Sequence, residues 1–475
     1  MSDTSADSSE TIEQDFDAYP PALRQDFETA RQSLVGILSS AELDQWTSDG
    51  MALAQYSLRS WEAAGGYFRA SPDAIKQLPF NRFREWAKIG AELLDASPAL
   101  TGAFFRSSPT ALPYLSIAQA RVWAGHGRSL YKDTWKSGSL SAQYFETSPE
   151  ILQQLPLNQM RLLIELVDSL AKHSYELASS CLAMAPNVLG QLDRPDRAPF
   201  LEFGAIVANT AWVDARIFFE RGPELIQLIH PQQRARFLSL AGRVSLDIGR
   251  LGHPYFIEAS QSIGLLDRDQ HRDLLNLADG LTEYSGIAAM EFIKSTPSVL
   301  QQLRVEDLER WQMAGSTILK DSVEGGEAFF RLESSKGEDV IEALSSRVEL
   351  DRIGDLIRMY CKALTGVDVA VQSTEQLTEK GVGWVDSNSP TTEGSAIYLP
   401  PAVEHYPSKN ENFSVYKVFA THQAARLEFG SFRFVYDQPG EVFGQKGRDG
   451  RYKKSNSDSA PITAMERFFD LFEDR

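Results

Sequence analysis

The residues with the strongest claim to chemistry lie near the C-terminal end of this 475-residue chain, in His422-Gln-Ala-Ala-Arg426. The spacing is that of the His-Glu-x-x-His zinc helix, in which two imidazoles one turn apart bind metal and the glutamate activates water. Here glutamine replaces the base and arginine the second ligand. Gln423 cannot take up a proton and Arg426 offers no lone pair, so the hydrolytic form of such a site is chemically disabled. The expectation for His422 is therefore structural, a hydrogen bond from its helix to a strand or to Glu428. A second reading keeps a metal-dependent hydrolase centred on His422, with Glu428 or His405 as further ligands and zinc bound.

Gly444-Gln-Lys-Gly-Arg-Asp-Gly-Arg-Tyr-Lys-Lys454 sets Lys446, Arg448, Arg451, Lys453 and Lys454 among glycines. It reads either as a solvated flexible loop or as a docking site for an anion or an acidic protein surface. It lacks the Gly-x-x-x-x-Gly-Lys-Ser/Thr order, so nucleotide hydrolysis does not follow. The remaining histidines, 126, 173, 230, 253, 271 and 405, share no spacing that would place two on one face. Cys181 and Cys361 stand 180 positions apart in apolar contexts, which fits a reducing compartment and supplies no metal cage. No Ser/His/Asp set, nucleophile elbow or dinucleotide fingerprint is found. The expectation is a protein without catalytic residues, cofactor or metal.

The elements that carry these residues are helical and repeat. Phe68-Arg-Ala-Ser-Pro72, Phe105-Arg-Ser-Ser-Pro109, Phe145-Glu-Thr-Ser-Pro149 and Phe219-Glu-Arg-Gly-Pro223 share one motif, with weaker copies ending at Pro186 and Pro297. Successive prolines differ by 37, 40, 37, 37 and 74 residues. A second marker runs out of phase, an aromatic or Leu followed four positions later by Gly, at Trp46/Gly50, Trp86/Gly90, Trp123/Gly127, Phe200/Gly204, Leu238/Gly242 and Trp311/Gly315. Each unit reads as a helix ending near the Phe, a Ser-Pro turn with proline at a helix start, then two further helices. The glycine is expected to admit a neighbouring helix while the indole covers the contact.

The fold class expected is mainly α: an acidic disordered tail over residues 1–20, an α-solenoid of helical repeats over 21–347, and a small α+β region over 348–475. In the last, Val348 to Gly366 reads as an amphipathic helix, Val-Asp-Val-Ala-Val and Ala396-Ile-Tyr-Leu as strands, and the stretch around Phe413 to Gln423 as one helix stopped by Gly430. A closing helix is expected from Pro461.

With 65 acidic against 47 basic residues the net charge is −18, which argues against nucleic acid and anionic membranes as general partners. The polar N-terminal stretch is no signal peptide and no apolar run is long enough to span a bilayer, so a cytoplasmic location is expected.

The C-terminal stretch Ile397-Tyr-Leu-Pro-Pro401, Asn412-Phe-Ser-Val-Tyr416-Lys, His422-Gln-Ala-Ala-Arg426, Leu427-Glu-Phe-Gly-Ser-Phe432 and Phe468-Phe-Asp-Leu-Phe-Glu-Asp474 resembles NorD/CbbO-type proteins. These carry a von Willebrand factor A domain and are encoded beside MoxR-type AAA+ ATPases. Their matching segment precedes that domain, and some members also have a helical-repeat N-terminal region. The resemblance implies a non-enzymatic, protein-binding adaptor or activator of such an ATPase, with the client held on the concave solenoid face. His422, Arg426, Glu428 and Gly430 are the positions it marks, in structural roles. The von Willebrand domain has no counterpart here, which implies either part of a longer chain or a protein performing the scaffold half of the task.

Overall fold

The computed structural model describes Phe16 and residues 18–379 and 389–433. The chain forms two compact units, Met1–Gln301 with Val305–Val340, and Gln302–Arg304 with Ile341–Arg475.

The first unit is built from α1 (Pro21–Leu34), α2 (Ser40–Gln55), α3 (Trp61–Gln77), α4 (Phe80–Glu92), α5 (Pro98–Ala111), α6 (Ile117–Leu130), α7 (Trp135–Leu152), α8 (Leu157–Ala171), α9 (Tyr175–Gln191), α10 (Arg197–Thr210), α11 (Ala215–Gln227), α12 (Arg234–Ile248), α13 (Gly252–Gly264), α14 (His271–Leu281), α15 (Gly286–Val299), α16 (Leu308–Asp321) and α17 (Val323–Phe330). Each odd-numbered helix packs on the next odd-numbered one and each even-numbered helix on the next even-numbered one. Short loops make consecutive helices antiparallel, so the unit is a two-layer stack of helix pairs, the arrangement of an α-solenoid.

The repeat holds two helices, not the three expected. Pro72, Pro109, Pro149, Pro186, Pro223 and Pro297 all lie inside odd-numbered helices rather than at helix starts. An interior proline removes one backbone hydrogen bond and crowds the carbonyl four residues back, at a cost of about 3 kcal/mol. Neighbouring side chains offset part of this. Ser108 Oγ donates to Phe105 O at 3.3 Å, the carbonyl that Pro109 leaves without its amide, while Gln77 Nε2 and Gln154 Nε2 donate to Pro109 O at 2.9 Å and Pro186 O at 3.0 Å from the preceding odd-numbered helix and its end. Burial then decides: Phe68, Phe105 and Phe145, four residues before the first three prolines, have no exposed surface.

The two sequence markers are halves of one contact. A Cβ added to Gly50, Gly90, Gly127 or Gly315 would lie 2.1–2.3 Å from Cζ of Phe68, Phe105, Phe145 or Phe330, respectively. The glycine therefore admits a phenyl ring from the next odd-numbered helix, and the tryptophan one turn earlier meets that ring edge-on, with centroids 4.8–5.3 Å apart in all four repeats. Trp86 and Trp123 also donate Nε1–H to Ser108 Oγ at 2.9 Å and Ser148 Oγ at 2.8 Å, the serines that precede the prolines.

In the second unit, β1 (Val348–Glu349) leads into α19 (Leu350–Thr365), after α18 (Ser335–Leu344), which spans the junction of the two units. Then come β2 (Ala370–Ser373), α20 (Thr374–Glu379), β3 (Thr391–Thr392), β4 (Ala396–Leu399), β5 (Ala402–Val403) and α21 (Lys409–Glu428). β4 is central, parallel to β2 and antiparallel to β3, while β1 pairs antiparallel with β5. Ile397 and Leu399 enter a core with Ile357 and Cys361 of α19 and Tyr416, Ala420 and Ala424 of α21. Ala396 and Tyr398 pack with Leu377 of α20 on the other side, which explains the unbroken apolar run of β4.

Candidate protein-interaction surfaces

α21 carries three of the four marked positions on its outer side. His422, Arg426 and Glu428 are exposed, and no hydrogen bond or ion pair joins them to any described residue. The bond expected from His422 to a strand or to Glu428 is thus not made among the described residues. Gln423, the residue in the base position, turns inward instead, 4 % exposed, with Nε2 donating to Pro390 O at 3.1 Å. Successive residues of a helix point about 100° apart, so His422 falls outside the buried face while Gln423 and Ala424 fall within it. Gly430, at φ +70°, follows the helix end in the left-handed conformation that glycine tolerates. His405 is exposed as well, and among the described residues no three His, Cys, Asp or Glu side chains gather into a metal-binding group.

Asn412 organises this unit, a role that its place in the Asn412-Phe-Ser-Val-Tyr416 motif did not reveal. It is fully buried; Oδ1 accepts from the amides of His405 and Tyr406, both at 2.8 Å, and Nδ2 donates to Ser346 O at 2.8 Å and Tyr406 O at 2.7 Å. Tyr416 OH donates to Pro400 O at 2.8 Å. The motif residues thus tie α21 to the turns around β5. In a cleft lined by Arg347, Arg352 and Lys409, Arg352 pairs with Glu342, Arg347 Nε lies 3.9 Å from Glu349 without a hydrogen-bond partner among the described residues, and Lys409 Nζ donates to Glu342 O at 3.4 Å. Lys446, Arg448, Arg451, Lys453 and Lys454, with the closing helix expected from Pro461, lie outside the described residues.

In the first unit a third repeat marker, not read from the sequence, occupies Arg197, Arg234 and His271, each 37 residues after the last and each opening an even-numbered helix. Arg197 donates to Leu189 O and Leu192 O and reaches back to Gln154 O. Arg234 donates to Ile229 O and pairs with Asp193 at 2.7 Å and Asp196 at 2.9 Å. His271 accepts the His230 amide on Nδ1 at 3.1 Å, so its Nε2 carries the hydrogen and faces Leu266 O. Each side chain caps its own loop and binds the loop one repeat earlier. The period of 37 was the available signal, obscured because the residue type changes.

A carboxylate inside the stack is similarly engaged. Glu291, 6 % exposed, accepts from Tyr255 OH at 2.6 Å and pairs with Lys294 and Arg331, which joins α13, α15 and the end of α17. Burial pushes the Tyr255 hydroxyl up to about 12 and the Cys181 thiol up to about 12, and raises Cys361 too, so none is a ready nucleophile.

Large apolar side chains are exposed in the loops on both edges of the stack, with Val35, Ile37 and Leu265 on the edge where odd-numbered helices lead into even-numbered ones. The loops leading from an even-numbered to an odd-numbered helix all lie on one side of the antiparallel stack, and there Leu58 is 99 % exposed, Trp135 78 %, Val213 65 % and Leu251 52 %. Lys132 and Lys172 share Asp168 at 3.3 and 3.6 Å, and His173 stacks on Trp212 with centroids 5.4 Å apart, so the edge is continuous across the loops before α7, α9 and α11. No helix among the described residues is long and apolar enough to cross a membrane. Comparison with known proteins returned no matching family model, curated protein or solved structure.

Proposed function

We propose that the chain is a non-enzymatic, protein-binding scaffold. The observation that carries this reading is the division of labour in the first unit: the recurring Trp, Gly, Phe, Ser and Arg side chains are consumed by packing, while large apolar side chains stand exposed in the loops between helices. Exposed tryptophan and leucine on a rigid repeat are what protein partners exploit. The narrower reading, adaptor or activator of a MoxR-type AAA+ ATPase that remodels a client, rests on the resemblance of residues 397–475 to NorD/CbbO-type proteins. A cytoplasmic location accords with it.

The test is to mix the purified chain with the MoxR-type ATPase of its host and follow co-elution and ATP turnover. A complex whose stability differs between ATP and ADP, with altered turnover, is the expected result. Independent elution in every nucleotide state would overturn the adaptor role.

A further inference from the structure

The edge before α7, α9 and α11 has a chemistry specific enough to name its ligand. We propose that it binds an extended segment of a partner protein in which acidic residues alternate with large apolar ones. This rests on the scaffold reading and identifies where and what the scaffold binds.

Charge complementarity selects an acidic ligand. The chain has a net charge of −18, yet between Leu115 and Gln143 the charged residues are Arg121, Arg128, Lys132 and Lys136 against Asp133. Arg121 is committed to Glu92. Lys132 and Lys172 neutralise the single carboxylate of Asp168 between them, which leaves an excess of positive charge beside Trp135. Glu176 lies further along the row and Asp214 faces the buried His253 at 3.6 Å, so the cationic part is confined to the Trp135 end. An acidic segment is repelled by most of this molecule and attracted here.

The apolar anchors come from the same loops. Trp135 opens α7 behind a capping box in which Thr134 accepts from Ser137 N, so the indole is exposed but held, with Lys136 Nζ 5.7 Å from its ring centroid. Tyr131 lies under Arg128, and Trp212 is supported by His173, with the ring planes only 3° from parallel. Rigid, amphipathic aromatic surfaces flanked by cations bind apolar side chains at little entropic cost. Stacked helices are spaced about 8–10 Å apart, and an extended chain advances about 3.3 Å per residue. One apolar anchor every three residues therefore matches successive repeats, with acidic residues between.

The experiment uses the full chain and a fluorescein-labelled peptide, Glu-Glu-Phe repeated three times, read by anisotropy at physiological and at high salt. Saturable binding that weakens at least tenfold in Trp135→Ala/Lys136→Glu, and in high salt, is expected, with peptides of repeated Glu-Glu-Ser or Lys-Lys-Phe failing to bind. Circular dichroism of the variant must match the parent; Trp135 and Lys136 are exposed, and Trp135→Phe is expected to retain binding. No saturable binding to the parent chain, or equal binding to the double variant, overturns the assignment. The ATPase co-elution test is run on the same variant: a complex that persists unchanged would leave the scaffold reading standing and remove this edge from it.

Discussion

Gly90 has no room for a methyl group, because Phe105 Cζ would lie 2.2 Å from it, whereas Gly125, on the exposed side of α6, has nothing within 4 Å. Gly90→Ala is expected to destabilise the protein by about 1–3 kcal/mol as the ring is displaced, and Gly125→Ala to be neutral or stabilising by up to about 1 kcal/mol; urea midpoints compare them. Asn412→Ala should cost about 1–3 kcal/mol, since it leaves backbone groups around His405 and Ser346 without their partner. At this scale the sequence displayed which residues recur but not which touch. The ring that fills Gly90 comes from a residue 15 positions on, and periodicity carries no information about that pairing. His422 was the conspicuous residue and Gln423 the buried one, because which of two neighbours faces a sheet is settled by helix rotation.

Among elements, the loops joined by Arg197, Arg234 and His271 govern how repeats stay in register. Burial lowers the pKa of His271 below its ordinary 6.5, and the same holds for His126 and His253. The unfolded chain therefore binds more protons than the folded one once the pH drops below about 6.5, so stability is full above that pH and declines beneath it. Urea midpoints should fall from pH 7 to 5.5, and more shallowly in His271→Gln; an unchanged slope would show that the histidine does not bear this dependence. Glu291→Ala should cost about 1–2 kcal/mol, because Tyr255 loses its acceptor while Lys294 keeps Glu258 and Arg331 keeps Glu327. The helices after residue 348 were legible, since α19 ends one residue before Gly366 and α21 two before Gly430. The interior prolines were not, because propensity places proline at a helix start while burial in the stack keeps the helix running through it.

For the whole molecule, the mainly α fold follows from the spacing of two markers and the small α+β C-terminal region from its short apolar runs, whereas the recurring residues carried no signal for function. The reason is physical: a repeat array devotes its recurring residues to neighbouring repeats, so the strongest sequence signal reports packing, and the side chains left in the loops vary from one repeat to the next. Trp135, His173, Trp212 and Leu251 illustrate this, sharing an edge and a spacing of 38 or 39 residues but no residue type shared by all four. The measurement that bears most directly on the scaffold account is affinity capture with the full chain from host lysate, in ATP and in a non-hydrolysable analogue, with mass spectrometry of the retained proteins. The account predicts enrichment of a MoxR-type ATPase that depends on the nucleotide. Failure to retain that ATPase from a lysate known to contain it, in either nucleotide, would contradict it.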